Sequence, residues 1–221
     1  MATSTVENYV KQIYLEHRKA EETYLPMKQL ADAMAVTSGT ATSMVKWLAK
    51  SGLVDYEPRN GSRLTHQGEQ MALHILRRHR LVELFLVEIL KLDWSEVHEE
   101  ADRLEHAISD RVIEQIDSLL QKPSVDPHGD PIPTEKGKID ERRQTNLSNC
   151  LPGAHVRIAR IADQDAIFLK FAERSGLIPG SAIRVLESDR VADAITLRRK
   201  EGDTITLGFT AAAKIMIESV K

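Results

Sequence analysis

A chain of 221 residues is long enough for one large domain or two to three small ones, and its 42% apolar content can fill a packed core. A formal net charge of −3 argues against indiscriminate polyanion binding but leaves room for a local basic patch. The single cysteine, Cys150, excludes an internal disulfide and fits a reducing cytoplasm. No apolar run approaches the ~20 residues of a membrane span, and the N-terminus lacks a signal-peptide pattern, so we expect a cytoplasmic protein with no membrane partner.

Residues 4–18 predict a helix, with Val6, Tyr9, Val10, Ile13 and Tyr14 at helical spacing. Pro26 opens a second helix, striped by Met27, Leu30, Ala31 and Met34. After a short turn, Thr37 or Ser38 caps a third helix that Gly52 ends. Asn60-Gly61 marks a hairpin turn between two short strands. This order is that of a winged helix-turn-helix.

The third helix carries the DNA signal. From Thr37 to Ser51 it has no acidic residue. Thr37, Ser38, Thr40, Thr42 and Ser43 crowd its start with small hydroxyls that can approach phosphates and base edges, and Lys46 and Lys50 can neutralise phosphates. Arg59 and Arg63 flank the hairpin tip, where a wing would meet the DNA backbone or minor groove. A helical bundle with a solvated lysine face is the plainer alternative, and the acid-free helix in an acidic chain weighs against it.

Gly68 leads into a long helix carrying Met71, Ile75, Leu76, Leu81, Leu84, Phe85 and Leu90. His79 and Glu83 are four apart on it and share a face. Ser95 reads as the N-cap of the next helix. There His98, Asp102, Glu105 and His106 would fall within an arc of about 100°. Imidazole and carboxylate together suit a divalent first-row metal. A further helix begins near Ser109 or Asp110. These helices hold more apolar surface than they can bury among themselves, so a symmetric dimer follows, presenting two reading heads to two half-sites.

Residues 122–150 turn polar and proline-rich and read as a linker, within which a Pro-restricted turn can hold Asp126 and His128 facing the same way. Residues 151–221 alternate as strands: HVRIARI, SAIRVLES, DAITLRRK and TITLGF, with Glu201-Gly202-Asp203 as a turn and a short helix over 166–175. The pattern suggests a small SH3-like barrel, with Asp163 and Asp165 in the turn after its first strand. The expected class is mainly α with a small β domain. The expected domains are a winged helix-turn-helix over 1–66, a helical dimerisation and metal-binding domain over 67–122, a linker over 123–150 and an SH3-like domain over 151–221.

ENYVKQIY near the start, GLVDYEPRNGSRLTHQGE, RRHRLVELFL, and VHEEADRLEHAISD followed by DPHGDPIP together form a specific combination. By them the chain resembles the diphtheria toxin repressor family of metal-dependent transcriptional regulators, including its manganese transport regulator branch. The resemblance implies a repressor that binds double-stranded operator DNA as a homodimer when loaded with a divalent cation, and that controls metal-uptake genes. It implies a main metal site at Asn8, Asp102, Glu105 and His106. Asn8 stands where the family usually has Asp or Met, and Lys11 where manganese-type members often have Glu. It also implies a second site, from His79, Glu83 and His98 in one branch and from Glu83, Asp126, His128 and Asp163 in another. Iron-type members resemble one another in a sulfur ligand at the position of Asp102, so oxygen there favours Mn2+, with Fe2+ the alternative. A metalloenzyme is the rival from another class, but no general base, phosphate loop or nucleophile motif accompanies the cluster. A protein-binding winged helix with a structural polar cluster is a second rival.

Overall fold

The computed structural model describes residues 3–19, 23–140, 144–200 and 202–219. Two compact units divide the chain: Met1–His79 with Pro133–Lys138, and Arg80–Ile132 with Ile139–Lys221.

In the first unit, α1 (Ser4–Lys19) buries Val6, Tyr9, Val10, Ile13 and Tyr14, the stripe its sequence predicts. Pro26 precedes α2 (Met27–Ala33). Thr37 caps α3 (Ser38–Lys50), its hydroxyl accepting from Thr40 N at 3.2 Å. Ala41, Val45 and Leu48 form the buried side of α3. Gly52, at φ +75°, ends it.

Strands β1 (Val54–Glu57) and β2 (Gly61–Leu64) pair antiparallel, with Glu57 opposite Gly61. The turn is therefore Pro58-Arg59-Asn60, one residue earlier than Asn60-Gly61 suggested, with Arg59 at φ +76°. Gly61 serves a different need. Leu25 exchanges backbone hydrogen bonds with Ser62 at 2.8 and 3.0 Å, and a Cβ on Gly61 would lie 2.1 Å from Leu25 O. The long helix α4 (His66–Glu88) starts two residues before Gly68, whose N–H donates to Thr65 Oγ1 at 3.2 Å.

In the second unit, the end of α4, α5 (Val97–Leu104) and α6 (Asp110–Leu119) close over Leu81, Val82, Leu86, Val97, Ala101, Ile113, Ile116 and Ile132. Two expectations for α5 need correction. Ser95 is not its cap: Asp93 Oδ1 accepts from Ser95 N at 2.8 Å and Ser95 Oγ at 2.6 Å, closing the turn before the helix. The helix also stops at Leu104, leaving Glu105 as its C-cap and His106 in the following turn. The chain must leave helical geometry there because Ser109, extended at φ −72° and ψ 155°, has to open α6.

The described residues of 122–150 form little regular structure, yet Asp126, His128, Asp130 and Ile132 are all buried. Strand β3 (Thr145–Asn146) and a single 3₁₀ turn (Leu147–Asn149) end the stretch. Beyond it come β4 (His155–Ile161), α7 (Ala166–Arg174), β5 (Ala182–Asp189), β6 (Ala194–Arg199), β7 (Thr204–Leu207), α8 (Phe209–Ala213) and β8 (Ile215–Ser219). The strands form an antiparallel sheet in the order β3-β8-β4-β5-β6-β7, the SH3-like domain. The two strands missed by pattern reading, β3 and β8, build one side of it. Ile158, Ile161, Leu169, Leu177, Val185, Ile195, Leu197 and Ile215 fill its core. Gly202 N donates to Arg199 O at 3.0 Å in the β6–β7 turn, while Glu201 lies outside the described residues.

Candidate metal centre and nucleic-acid interface

The turn Asp126–Asp130 is wound by its first residue. Asp126 Oδ1 accepts from His128 N at 2.8 Å and Asp130 N at 2.9 Å. Gly129 adopts φ +87°, and a Cβ there would meet Ala159 O at 2.1 Å, so only glycine lets the turn lie against β4. Ile161 N then donates to His128 O at 2.9 Å. The result is a rigid, buried hook carrying two carboxylates and an imidazole.

His128 is fully buried and its ring stacks on Trp94, with centroids 5.4 Å apart. Its Nε2 lies 2.9 Å from Trp94 O. A carbonyl can only accept, so Nε2 carries a hydrogen, and in the neutral ring Nδ1 then carries the lone pair. That lone pair is buried and has no hydrogen-bond partner among the described residues, and neither has Asp126 Oδ2. Ligand atoms of Glu83, Asp126 and His128 all lie within 4.8 Å of one another. Two carboxyl groups and an imidazole gathered this closely among buried residues have the chemistry and the spacing of a divalent-cation site.

The electrostatics agree. Burial, then the neighbouring carboxylates of Asp130 and Glu83, push the Asp126 carboxyl well above the usual range, against the pull of Arg80. Arg80 Nε sits 3.6 Å from Asp126 Oδ2, too far to satisfy it. Asp130 is already committed, accepting from Arg160 at 2.9 Å and Gln164 at 3.2 Å. Asp126 Oδ2, by contrast, has no hydrogen-bond donor among the described residues.

Glu83 also faces α5. Its Oε1 lies 3.0 Å from His98 Nδ1, and His98 Nε2 is 3.9 Å from Asp102 Oδ2. His79, buried, precedes Glu83 by one turn of α4. Carboxyl oxygens of Asp102 and Glu105 come within 4.8 Å of one another. Glu105 is fully buried, and its Oε1 lies 3.3 Å from His106 Nε2. Asn8 is half-buried on α1, in the first unit. Asp163 does not join the Glu83–Asp126–His128 group: its Oδ2 is 2.5 Å from Lys214 Nζ, and that ammonium holds its carboxyl below the usual range. Asp165 caps α7. Sequence reasoning missed Asp130 and Arg80. The D-x-H-x-D spacing offered a signal for the first, and nothing local did for the second.

On the first unit, the exposed side of α3 carries Ser38, Thr40, Ser43, Lys46 and Lys50, with Thr42 half-buried. Hydroxyls of Thr42 and Ser43 donate back to Ser38 O and Gly39 O at 2.7 and 2.9 Å, which leaves their oxygens facing out as acceptors. Trp47 is missing from the sequence-based DNA contacts, yet it is 51% exposed one turn beyond Ser43 on the same side. An exposed tryptophan between two lysines was a readable signal. Arg63 is held beside Asp55 at 3.1 Å and over the Tyr24 ring at 5.1 Å, while Arg59 is exposed at the hairpin turn.

Comparisons with known proteins bear on both sites. Residues 1–62 match the family model "Iron dependent repressor, N-terminal DNA binding domain". Residues 65–134 match "Iron dependent repressor, metal binding and dimerisation domain". Residues 145–219 match "FeoA domain". The iron-dependent repressor IdeR of Mycobacterium leprae is 35% identical over 230 residues, covering 98% of this chain and 97% of that protein. The diphtheria toxin repressor of Corynebacterium efficiens is 33% identical over 186 residues, covering 82% and 80%. A solved manganese-dependent transcriptional repressor in complex with manganese superposes with a TM-score of 0.88 at 37% identity, covering 97% of this chain and all of that one. The manganese regulator SloR superposes with a TM-score of 0.75 at 34% identity, covering 97% and 98%. No helix among the described residues is long and apolar enough to cross a membrane. With its DNA-binding, metal-binding and FeoA segments in the family's order, and a relative this similar along nearly its whole length, the chain belongs to the diphtheria toxin repressor family of metal-dependent transcriptional repressors and is not an enzyme.

Proposed function

We propose that this repressor is a homodimer that binds operator DNA in the cytoplasm when loaded with Mn2+, and thereby controls metal-uptake genes. The buried group of Glu83, Asp126 and His128, whose ligand atoms lie within 4.8 Å of one another, carries the reading. A bound cation would occupy the space at Asp126 Oδ2, which has no hydrogen-bond partner among the described residues. Glu83, Asp126 and His128 hold it at the second site, with His79 and His98 on its Glu83 side; Asp163 would have to leave Lys214 to contribute. Asn8, Asp102, Glu105 and His106 form the main site. Metal favours the DNA-competent state only to the extent that these ligands converge better in that state.

The preference for manganese rests on donor chemistry. Oxygen at Asn8, Asp102 and Glu105 with one imidazole suits a hard ion. Relatives named for iron and for manganese both resemble the chain, so Fe2+ is the competing reading. Dimerisation is supported by large apolar side chains left exposed around α4 and α6, including Leu90 at 54% and Leu119 at 57%. Titrating operator binding with Mn2+, Fe2+ and Zn2+ at fixed ionic strength tests the proposal, with Glu105→Gln beside the wild type. We expect Mn2+ to stimulate binding most, and Glu105→Gln to need roughly tenfold or more metal. Binding indifferent to chelator, or unchanged in Glu105→Gln, would refute it.

A further inference from the structure

A row of basic side chains crosses the sheet of the second unit. His155 of β4 stands directly opposite Arg184 of β5, and Arg184 directly opposite Arg198 of β6. Directly paired residues project to the same face, and neighbouring strands lie about 4.8 Å apart, so the row spans roughly 10 Å. All three side chains are exposed, while Ile183, Val185 and Leu197 beside them are buried on the opposite face. Strand alternation therefore fixes the row outward.

Like charges directly opposite one another destabilise a sheet. Here no pairing among the described residues offsets them. Among the described residues, neither Arg184 nor Arg198 makes a side-chain hydrogen bond or ion pair. The acids of adjoining positions are placed elsewhere: Asp203 binds Arg199 at 3.0 Å, Glu218 stands opposite Arg157, and Glu187 opposite Thr196. Lys200 extends the row, and these residues line a groove of about 340 Å³. In a chain of net charge −3 this concentration of basic side chains is local, not a general property.

We propose that His155, Arg184, Arg198 and Lys200 bind the sugar-phosphate backbone of DNA flanking the operator, adding sequence-independent affinity. Charge complementarity points to a polyanion with closely repeated charge. A DNA strand offers one charge per 3.4 Å of axis, so a row of roughly 10 Å matches about three phosphates. Once the reading helix holds an operator, flanking duplex is tethered to the same molecule at high effective concentration. The inference rests on the repressor reading for its biological setting, but its test does not.

The full-length protein and the Arg184→Gln/Arg198→Gln variant are compared in two arms. With chelator present, each binds a random-sequence duplex across a salt series. With Mn2+ present, each binds a selected operator, alone and extended by flanking duplex. In both arms the variant is expected to lower the slope of log K against log salt by about 2, since each phosphate neutralised contributes about 0.9. In the second arm the loss is confined to the extended duplex. Equal slopes for variant and wild type on random and extended duplex would overturn the proposal. So would a loss of binding to polyglutamate with DNA binding intact, which would assign the row to an acidic protein. Failure of Mn2+ to stimulate the wild type, with the slope difference retained on random duplex, would sink the repressor reading and leave this one standing. Melting curves of the variant confirm that the exposed substitutions leave the fold intact.

Discussion

Replacing Asp126 by Asn should separate the two demands placed on this residue. Oδ1, which accepts from His128 N and Asp130 N, is kept by the amide oxygen, so the hook stays wound. What is lost is a buried negative charge beside Glu83 and Asp130, together with a metal ligand. Without metal, the variant should therefore be at least as stable as the wild type. The sign follows from linkage. A carboxyl whose pKa is raised on folding stabilises the fold below its unfolded pKa of about 3.9, and that contribution is lost as pH climbs towards the folded value. The advantage of the Asp126→Asn variant in chelator should thus be absent in acid and grow as pH rises through that window. With metal the order reverses. At free metal 100 times the Kd of one site, binding contributes about 2.7 kcal/mol. If losing the carboxylate weakens the site about 100-fold, about 0.4 kcal/mol is left. The difference of about 2.3 kcal/mol corresponds to roughly 5–9 °C of melting temperature in a chain of this length. Thermal melts with Mn2+ and with chelator, at several pH values, read both effects. An equal Mn2+-induced shift in variant and wild type would refute the placement of a cation at Asp126.

Gly129→Ala should destabilise the second unit by about 2–4 kcal/mol, because a left-handed backbone and a carbonyl 2.1 Å from the new methyl both oppose it. Urea unfolding checks this, and a loss under about 0.5 kcal/mol would mean the hook can move away from β4 at little cost. Trp47→Ala should leave the melting curve of the protein within experimental scatter, since the side chain is half exposed, yet weaken metal-loaded operator binding about tenfold. Fluorescence anisotropy with labelled operator decides it, and unchanged affinity would show that this part of α3 faces away from DNA.

Local physics accounts for what was legible early. α3 was readable because a capping Thr37, an apolar face every third or fourth residue and a terminal Gly52 act within one helix. Strands β4 to β7 were readable because alternation is strong where one face is buried. β8 was not, since Ile215–Ser219 follows a run of alanines and lysine, and only pairing with β3 and β4 makes it a strand. The turn signal at Asn60-Gly61 was real, but glycine was needed there to let Leu25 approach.

By itself the sequence determined the winged helix-turn-helix order, the acid-free helix and a set of imidazoles and carboxylates at helical spacing, because each depends on neighbours in the chain. Only the tertiary structure decided which of them meet. It paired Asp163 with Lys214, ended α5 before Glu105, and committed Asp130 to Arg160 and Gln164. It also turned a stretch that reads as a spacer into a buried hook whose imidazole is grouped with the carboxyls of Asp126 and Glu83. The reason is that burial and tautomer are set by partners distant in sequence. A carbonyl at Trp94 fixes the His128 lone pair, and a strand backbone at Ala159 holds the turn in place.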